Sequence, residues 1–222
     1  MNLLELLKQD APEWDAYIHH EFVEDLGQGT LPLPVFQDYL VQDYLFLVQY
    51  ARANALAAYK ARTLGEVEAA AQGLSATIHE TNLHRRLTER WGITSEELDH
   101  APEKQATVAY TRYVLDTGMA GDLLELQIAL APCQIGYAEI GTYLEPKLAA
   151  NPDHPYKEWI QEYSGDGFQN QAVYMTKLLD DLLAVPAEEI KGTKRYERLL
   201  DIFRTATRLE ADFWQQAVDS AK

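Results

Sequence analysis

One thiol and two carboxylates are the groups in this sequence whose types and surroundings could do chemistry. Cys133 is the only cysteine. A lone cysteine is either a small buried apolar group or, once deprotonated, a nucleophile. Asp43 stands in the middle of an apolar helical stripe, Phe36, Tyr39, Phe46, Leu47 and Tyr50. Glu210 stands in the middle of another, Phe203, Ala206, Phe213, Trp214 and Ala217. Burying a carboxylate costs on the order of several kcal/mol unless it is paired or protonated. Each acid is therefore a structural carboxylate bonded to a neighbouring Tyr, Trp or Arg, or part of a polar pocket inside a bundle. Tyrosine points the same way, with 13 tyrosines against 6 phenylalanines. A buried tyrosine needs a partner for its hydroxyl. Tyr110 and Tyr113 lie one helical turn apart, Tyr137 is four after Cys133, and Tyr163 just precedes an SGDG break. Several such rings can line a polar, aromatic pocket fit for a flat heterocycle, although most of them read as ordinary helix-packing residues.

Helices must position these groups. Leu126, Leu130, Cys133, Tyr137, Ile140 and Leu144 recur at steps of three or four on both sides of Pro132, which predicts one helix around the thiol. Its proline should kink it, because the ring clashes with the carbonyl of Ile128 and removes a donor. Gly136 and Gly141 let another helix, or a ligand, approach that backbone. Elsewhere, Trp14, Ile18, Phe22 and Leu26 step by four and end at Gly27 and Gly29, a C-cap signal. LPLP is a turn. Helices are expected from Pro34 to about Thr63, from Gly65 to Trp91, and briefly after an N-cap at Thr94. Others run from Pro102 and Glu103 to Thr117, with Gly118 closing, and through the Cys133 stretch to about Ala149. After an NPDHP turn, Tyr156 to about Val185 is helical with an interruption at 164–167. A last helix runs from near Pro186 to Ser220, with a break at Gly192-Thr193. No strand pattern and no long linker appears. The expectation is a single domain over residues 1–222, an all-α bundle.

Composition narrows the partners. The chain has 222 residues and is 47% hydrophobic, enough for a sizeable core. One cysteine excludes an internal disulfide and fits a reducing compartment. The N-terminus lacks a secretory pattern and no apolar run is long enough to span a membrane, so a cytoplasmic location is expected. The net charge of −16 opposes nucleic-acid binding, which rests on Lys and Arg neutralising phosphates. Lys191, Lys194, Arg195 and Arg198 lie among glutamates and read as a solvated helix face. A di-metal centre in a bundle needs Glu-x-x-His units from two helices. Glu80 and His84 are four apart, His79 is beside them, and no second unit matches; the site is expected to hold no metal.

With those residues in hand, LAPCQIGYAEIG resembles the signature of TenA proteins, the thiaminase II or aminopyrimidine aminohydrolase family. LVQDYLFL, AYTRYVL, GDLLELQIALAPC, HPYKEWIQEYSGDGF and LEADFW resemble further family segments in the family's order, along nearly the whole chain. The resemblance implies a haem-oxygenase-like all-α fold without haem, usually a homotetramer, acting without a cofactor on pyrimidine fragments of thiamin. It implies Cys133 as nucleophile, Glu210 as acid/base, and Asp43 on the pyrimidine edge. Tyr110, Tyr137 and Tyr163 would line the pocket, and Phe46 would stack on the ring where many members carry a tyrosine. The implied reaction hydrolyses 4-amino-5-aminomethyl-2-methylpyrimidine to the hydroxymethyl compound, with cleavage of thiamin as a secondary activity. A metal-dependent oxidase on the same bundle and a non-catalytic ligand-binding regulator are the competing readings.

Overall fold

A computed structural model describes residues 1–220. Twelve α-helices account for the regular structure of the described residues: α1 Leu3–Gln9, α2 Glu13–Ile18, α3 Glu21–Gln28, α4 Leu33–Lys60, α5 Leu64–Glu89, α6 Ser95–His100, α7 Gln105–Ala120, α8 Leu123–Ala150, α9 Lys157–Ser164, α10 Asp166–Leu183, α11 Ala187–Ile190 and α12 Lys194–Asp219. The all-α expectation is met. Among the described residues two compact units arise, one from residues 1–31 and 127–211, the other from 32–126 and 212–220. Both α8 and α12 contribute residues to each.

In the first unit the α1 N-terminus is held by a capping box, Asn2 Oδ1 accepting from Glu5 N at 2.8 Å and Glu5 Oε2 from Asn2 N at 3.0 Å. The stripe from Trp14 to Leu26 forms two helices rather than one. His20 is extended (φ −61°, ψ 150°) and its Nδ1 accepts from Phe22 N at 3.2 Å. It thus acts as an N-cap inside the apolar period. Gly29 closes α3 in the left-handed region, φ 73°, as its residue type leads one to expect. α2 is fixed on α12 by Trp14 stacked on Phe203 (5.3 Å, 17°) and by Arg204 Nε donating to both Glu13 oxygens at 3.0 Å. The Arg204 hydrogen bonds, foremost among the causes, hold the Glu13 carboxyl below the usual carboxylate range. A depressed folded pKa contributes stability above the unfolded value and loses it as pH falls through the folded one. Urea midpoints should therefore fall below about pH 4.5, less steeply in Glu13→Gln than in wild type. Equal acid slopes in the two proteins would refute this role.

The thiol helix α8 runs unbroken through both Pro132 and Pro146. Its glycines do what the sequence required. A Cβ on Gly136 would meet Tyr17 Cε1 at 2.3 Å, and one on Gly141 would meet the backbone of Tyr163 at 2.4 Å and Ser164 N at 2.6 Å. The end of α9 thus lies on α8 with no room for a methyl group. Because backbone cannot swing away as a side-chain tip can, Gly141→Ala should cost about 2 kcal/mol or more and lower Tm by roughly 5 °C or more. An unchanged melting curve would contradict the close approach.

In the second unit α4 packs on α5, α6 and α7. Gly118 does not close α7. The helix continues to Ala120 and Gly121 N donates to Thr117 O at 2.8 Å. Gly118 is there for packing, since a Cβ would meet Leu126 Cδ1 at 2.7 Å. Gln42 ties α4 to α7: its Oε1 accepts from Lys104 N at 2.8 Å and Thr107 Oγ1 at 2.7 Å, and its Nε2 donates to Pro102 O at 3.0 Å. Gln216 of α12 donates to Thr107 Oγ1 at 3.1 Å and accepts from Ala106 N at 2.7 Å. The breaks expected at 164–167 and 192–193 fall at Gly165 and at Lys191–Thr193.

Candidate active site

Every residue assigned a catalytic or substrate-binding role by the family resemblance is buried. Cys133 is 8% exposed, Glu210 and Asp43 2% each, and Phe46, Tyr110, Tyr137 and Tyr163 are all below one tenth. Cys133, Tyr137, Tyr163 and Glu210 belong to the first unit, and Asp43, Phe46 and Tyr110 to the second.

In the first unit α8 places Cys133 and Tyr137 one turn apart on the same face. Tyr17 of α2, fully buried, donates its hydroxyl to Pro132 O at 3.2 Å. That carbonyl belongs to the residue before the thiol, so α2 helps fix the turn that carries Cys133. The bare backbone at Gly136 is what admits the Tyr17 ring. Tyr137 packs on Tyr163 (4.9 Å, 60°), and Trp159 and Phe168 flank Tyr163 at 4.5 and 4.8 Å. Gln169 Nε2 donates to Tyr163 O at 2.6 Å and Ala138 O at 2.8 Å, tying the end of α9 to α8. A thiol and two tyrosines with such supports, together with a buried carboxyl in the same unit, are residue types suited to covalent catalysis with proton transfer. Lys191, Lys194 and Arg198, by contrast, are exposed as a solvated face should be.

In the second unit Asp43 is held by two groups on one oxygen. Tyr39 donates its hydroxyl to Oδ2 at 3.0 Å, and His84 Nδ1 stands 3.0 Å from the same atom. The tyrosine partner is one of the structural partners that the apolar stripe left open. Glu80, half-buried and one turn before His84 on α5, joins them: ligand atoms of Asp43, Glu80 and His84 all lie within 4.8 Å of one another. Spacing on α5 offered only the Glu80–His84 pair; the third donor comes from α4, and sequence separation hid it. The signal that could have found it is His84 itself, on a buried stripe with Leu83, Leu87 and Thr88. One His and two carboxylates are a donor set for a single divalent ion, short of the two facing units a di-metal centre needs. Phe46 lies against Tyr110 (5.0 Å, 32°) and Phe213 (5.7 Å), while Tyr39 packs on Trp214 at 5.3 Å. Thus the aromatic part of LEADFW surrounds the Asp43 segment, and Phe46 offers a ring face and no hydroxyl.

These features define an all-α protein with a buried thiol, buried carboxylates and aromatic walls. The chain belongs to the TENA/THI-4/PQQC family, whose model matches residues 7–220. It is 39% identical to an aminopyrimidine aminohydrolase of Halalkalibacterium halodurans over 96% of this chain and 93% of that one. A crystal structure described as a TenA family transcription regulator, from Silicibacter sp. TM1040, superposes with a TM-score of 0.91 at 42% identity, covering 97% of this chain and 96% of the other. A Shewanella denitrificans domain with a heme oxygenase-like fold superposes with a TM-score of 0.66 at 14% identity, covering 100% and 94%; it bears on fold alone. The fold expectation is met on this point as well.

Proposed function

We propose that this protein hydrolyses 4-amino-5-aminomethyl-2-methylpyrimidine to 4-amino-5-hydroxymethyl-2-methylpyrimidine and ammonia, in thiamin salvage, with slower cleavage of thiamin. The observation that carries the reading is near full-length kinship with an aminopyrimidine aminohydrolase, in a chain whose TenA-like LAPCQIGYAEIG segment holds the buried Cys133. Direct displacement at the methylene is slow while the ring is inert. Addition of the Cys133 thiolate to the electron-poor ring, with a proton delivered to a ring nitrogen, lets the ring expel the amine from the methylene as ammonia. Water then adds to the exocyclic methide, and loss of the thiolate restores the aromatic ring. Glu210 supplies and recovers the proton. Asp43 accepts from the amino edge, Phe46 stacks on the ring, and Tyr110, Tyr137 and Tyr163 wall the pocket. The residues 1–222 act as one functional domain, in the cytoplasm, as a homotetramer and without a cofactor; light scattering tests the assembly.

The kinship with a protein described as a transcription regulator favours a second reading, a ligand-binding regulator. The charge of −16 opposes direct contact with a phosphate backbone. The metal-oxidase reading would draw on Asp43, Glu80 and His84. One assay separates all three: ammonia release from the aminomethyl pyrimidine, with and without chelator. Chelator-resistant release supports the hydrolase. Absence of release refutes it, and release that needs added metal refutes the cofactor-free form.

A further inference from the structure

Asp43 is buried beyond the reach of bulk water and both of its described partners sit on Oδ2, the Tyr39 hydroxyl and His84 Nδ1, each at 3.0 Å. Contacts of both groups with one oxygen restrict rotation of the carboxylate, which favours one direction for its other oxygen, Oδ1. Such a group recognises a rigid planar N–H edge at little entropic cost. His84 is fully buried, on a different helix from Asp43, and its ring also packs edgewise against Tyr39 (6.4 Å, 64°). The three side chains therefore restrain one another. We propose that His84 is a positioning residue for substrate: its imidazole, with Nδ1 in close polar contact with Asp43 Oδ2, and the Tyr39 hydroxyl, which donates to the same oxygen, hold the carboxylate so that Oδ1 meets the amino edge of the pyrimidine. This inference rests on Asp43 binding that edge. It gives His84 no part in bond making, so its loss should appear in binding rather than in turnover.

The test compares His84→Leu, which keeps bulk and loses the polar contact, with His84→Asn, whose amide places an N–H near the former Nδ1. The readouts are KM and kcat for the aminomethyl pyrimidine, and calorimetric binding of the hydroxymethyl product. Loss of a close polar contact to a buried carboxylate predicts KM and product Kd about tenfold or more higher in H84L, with kcat within about threefold of wild type. H84N should recover most of that loss. If H84L fails to fold, Tyr39→Phe removes the hydroxyl donor to the same oxygen and should raise KM about fivefold at near-constant kcat. Wild-type affinity in the folded variants overturns the inference. So does H84N binding as weakly as H84L at equal melting temperature, which would mark a packing role. One equivalent of tightly bound metal, lost in Glu80→Gln, also overturns it, because Asp43 and His84 would then be ligands. Active wild type with unimpaired H84L sinks this inference alone, whereas inactive wild type that binds no aminopyrimidine sinks the proposed function as well.

Discussion

Cys133→Ala lowers kcat/KM for ammonia release by roughly 10³-fold or more, the scale on which nucleophile removal acts when the remaining site still binds substrate. The structural reason to expect a clean loss is local. The thiol is buried at 8% exposure in the middle of an unbroken helix, and alanine keeps that helix and removes little volume. The Tyr17 hydroxyl bond to Pro132 O and the contact at Gly136 do not involve the sulfur. Melting temperature and product binding should therefore stay close to wild type while turnover disappears. Cys133→Ser should be almost as inactive, because an alkoxide is far less accessible than a thiolate near neutral pH. The informative measurement is single-turnover ammonia release with product affinity on the same samples. C133A turning over at the wild-type rate would leave Cys133 as the small apolar group that its residue type alone suggests, and the covalent route would be wrong.

Glu210→Gln should lower kcat by about 10²- to 10⁴-fold, the usual range for a lost general acid or base. Glutamine is nearly isosteric with glutamate and can keep most polar contacts of a side chain that is 2% exposed, so the fold should survive. What it cannot do is deliver a proton to the ring nitrogen and take it back. Product affinity should change far less than kcat. The comparison with C133A is diagnostic. If the two act on one step, the double variant is no slower than the worse single one; additive losses would place Glu210 outside that step. A folded E210Q enzyme at full rate would reduce the acid to a structural carboxylate.

Much of this protein was legible in its sequence because helices are written locally. The period of three to four through Cys133, the left-handed Gly29 and the break at Gly165 all depend on neighbours a turn away, and local rules read them. The anomalies were legible too. Asp43 and Glu210 are costly on apolar faces, and both proved buried. Where local reading failed, a longer-range contact had decided. Gly118 looks like a stop but is a packing position against Leu126 and Leu56. The apolar run from Trp14 to Leu26 looks continuous, yet His20 caps a new helix inside it.

What only the tertiary structure decided is partnership. His84 is 41 positions from Asp43 in sequence, and no spacing rule joins an α4 carboxylate to an α5 imidazole. Tyr17 and Pro132 are 115 residues apart, and Gly141 meets Tyr163 through backbone atoms that no side-chain pattern encodes. Sequence determines which residues are anomalous, because burial cost and periodicity are properties of type and order. Structure determines what answers each anomaly, because a buried carboxylate can be satisfied by any donor that packing brings within about 3 Å.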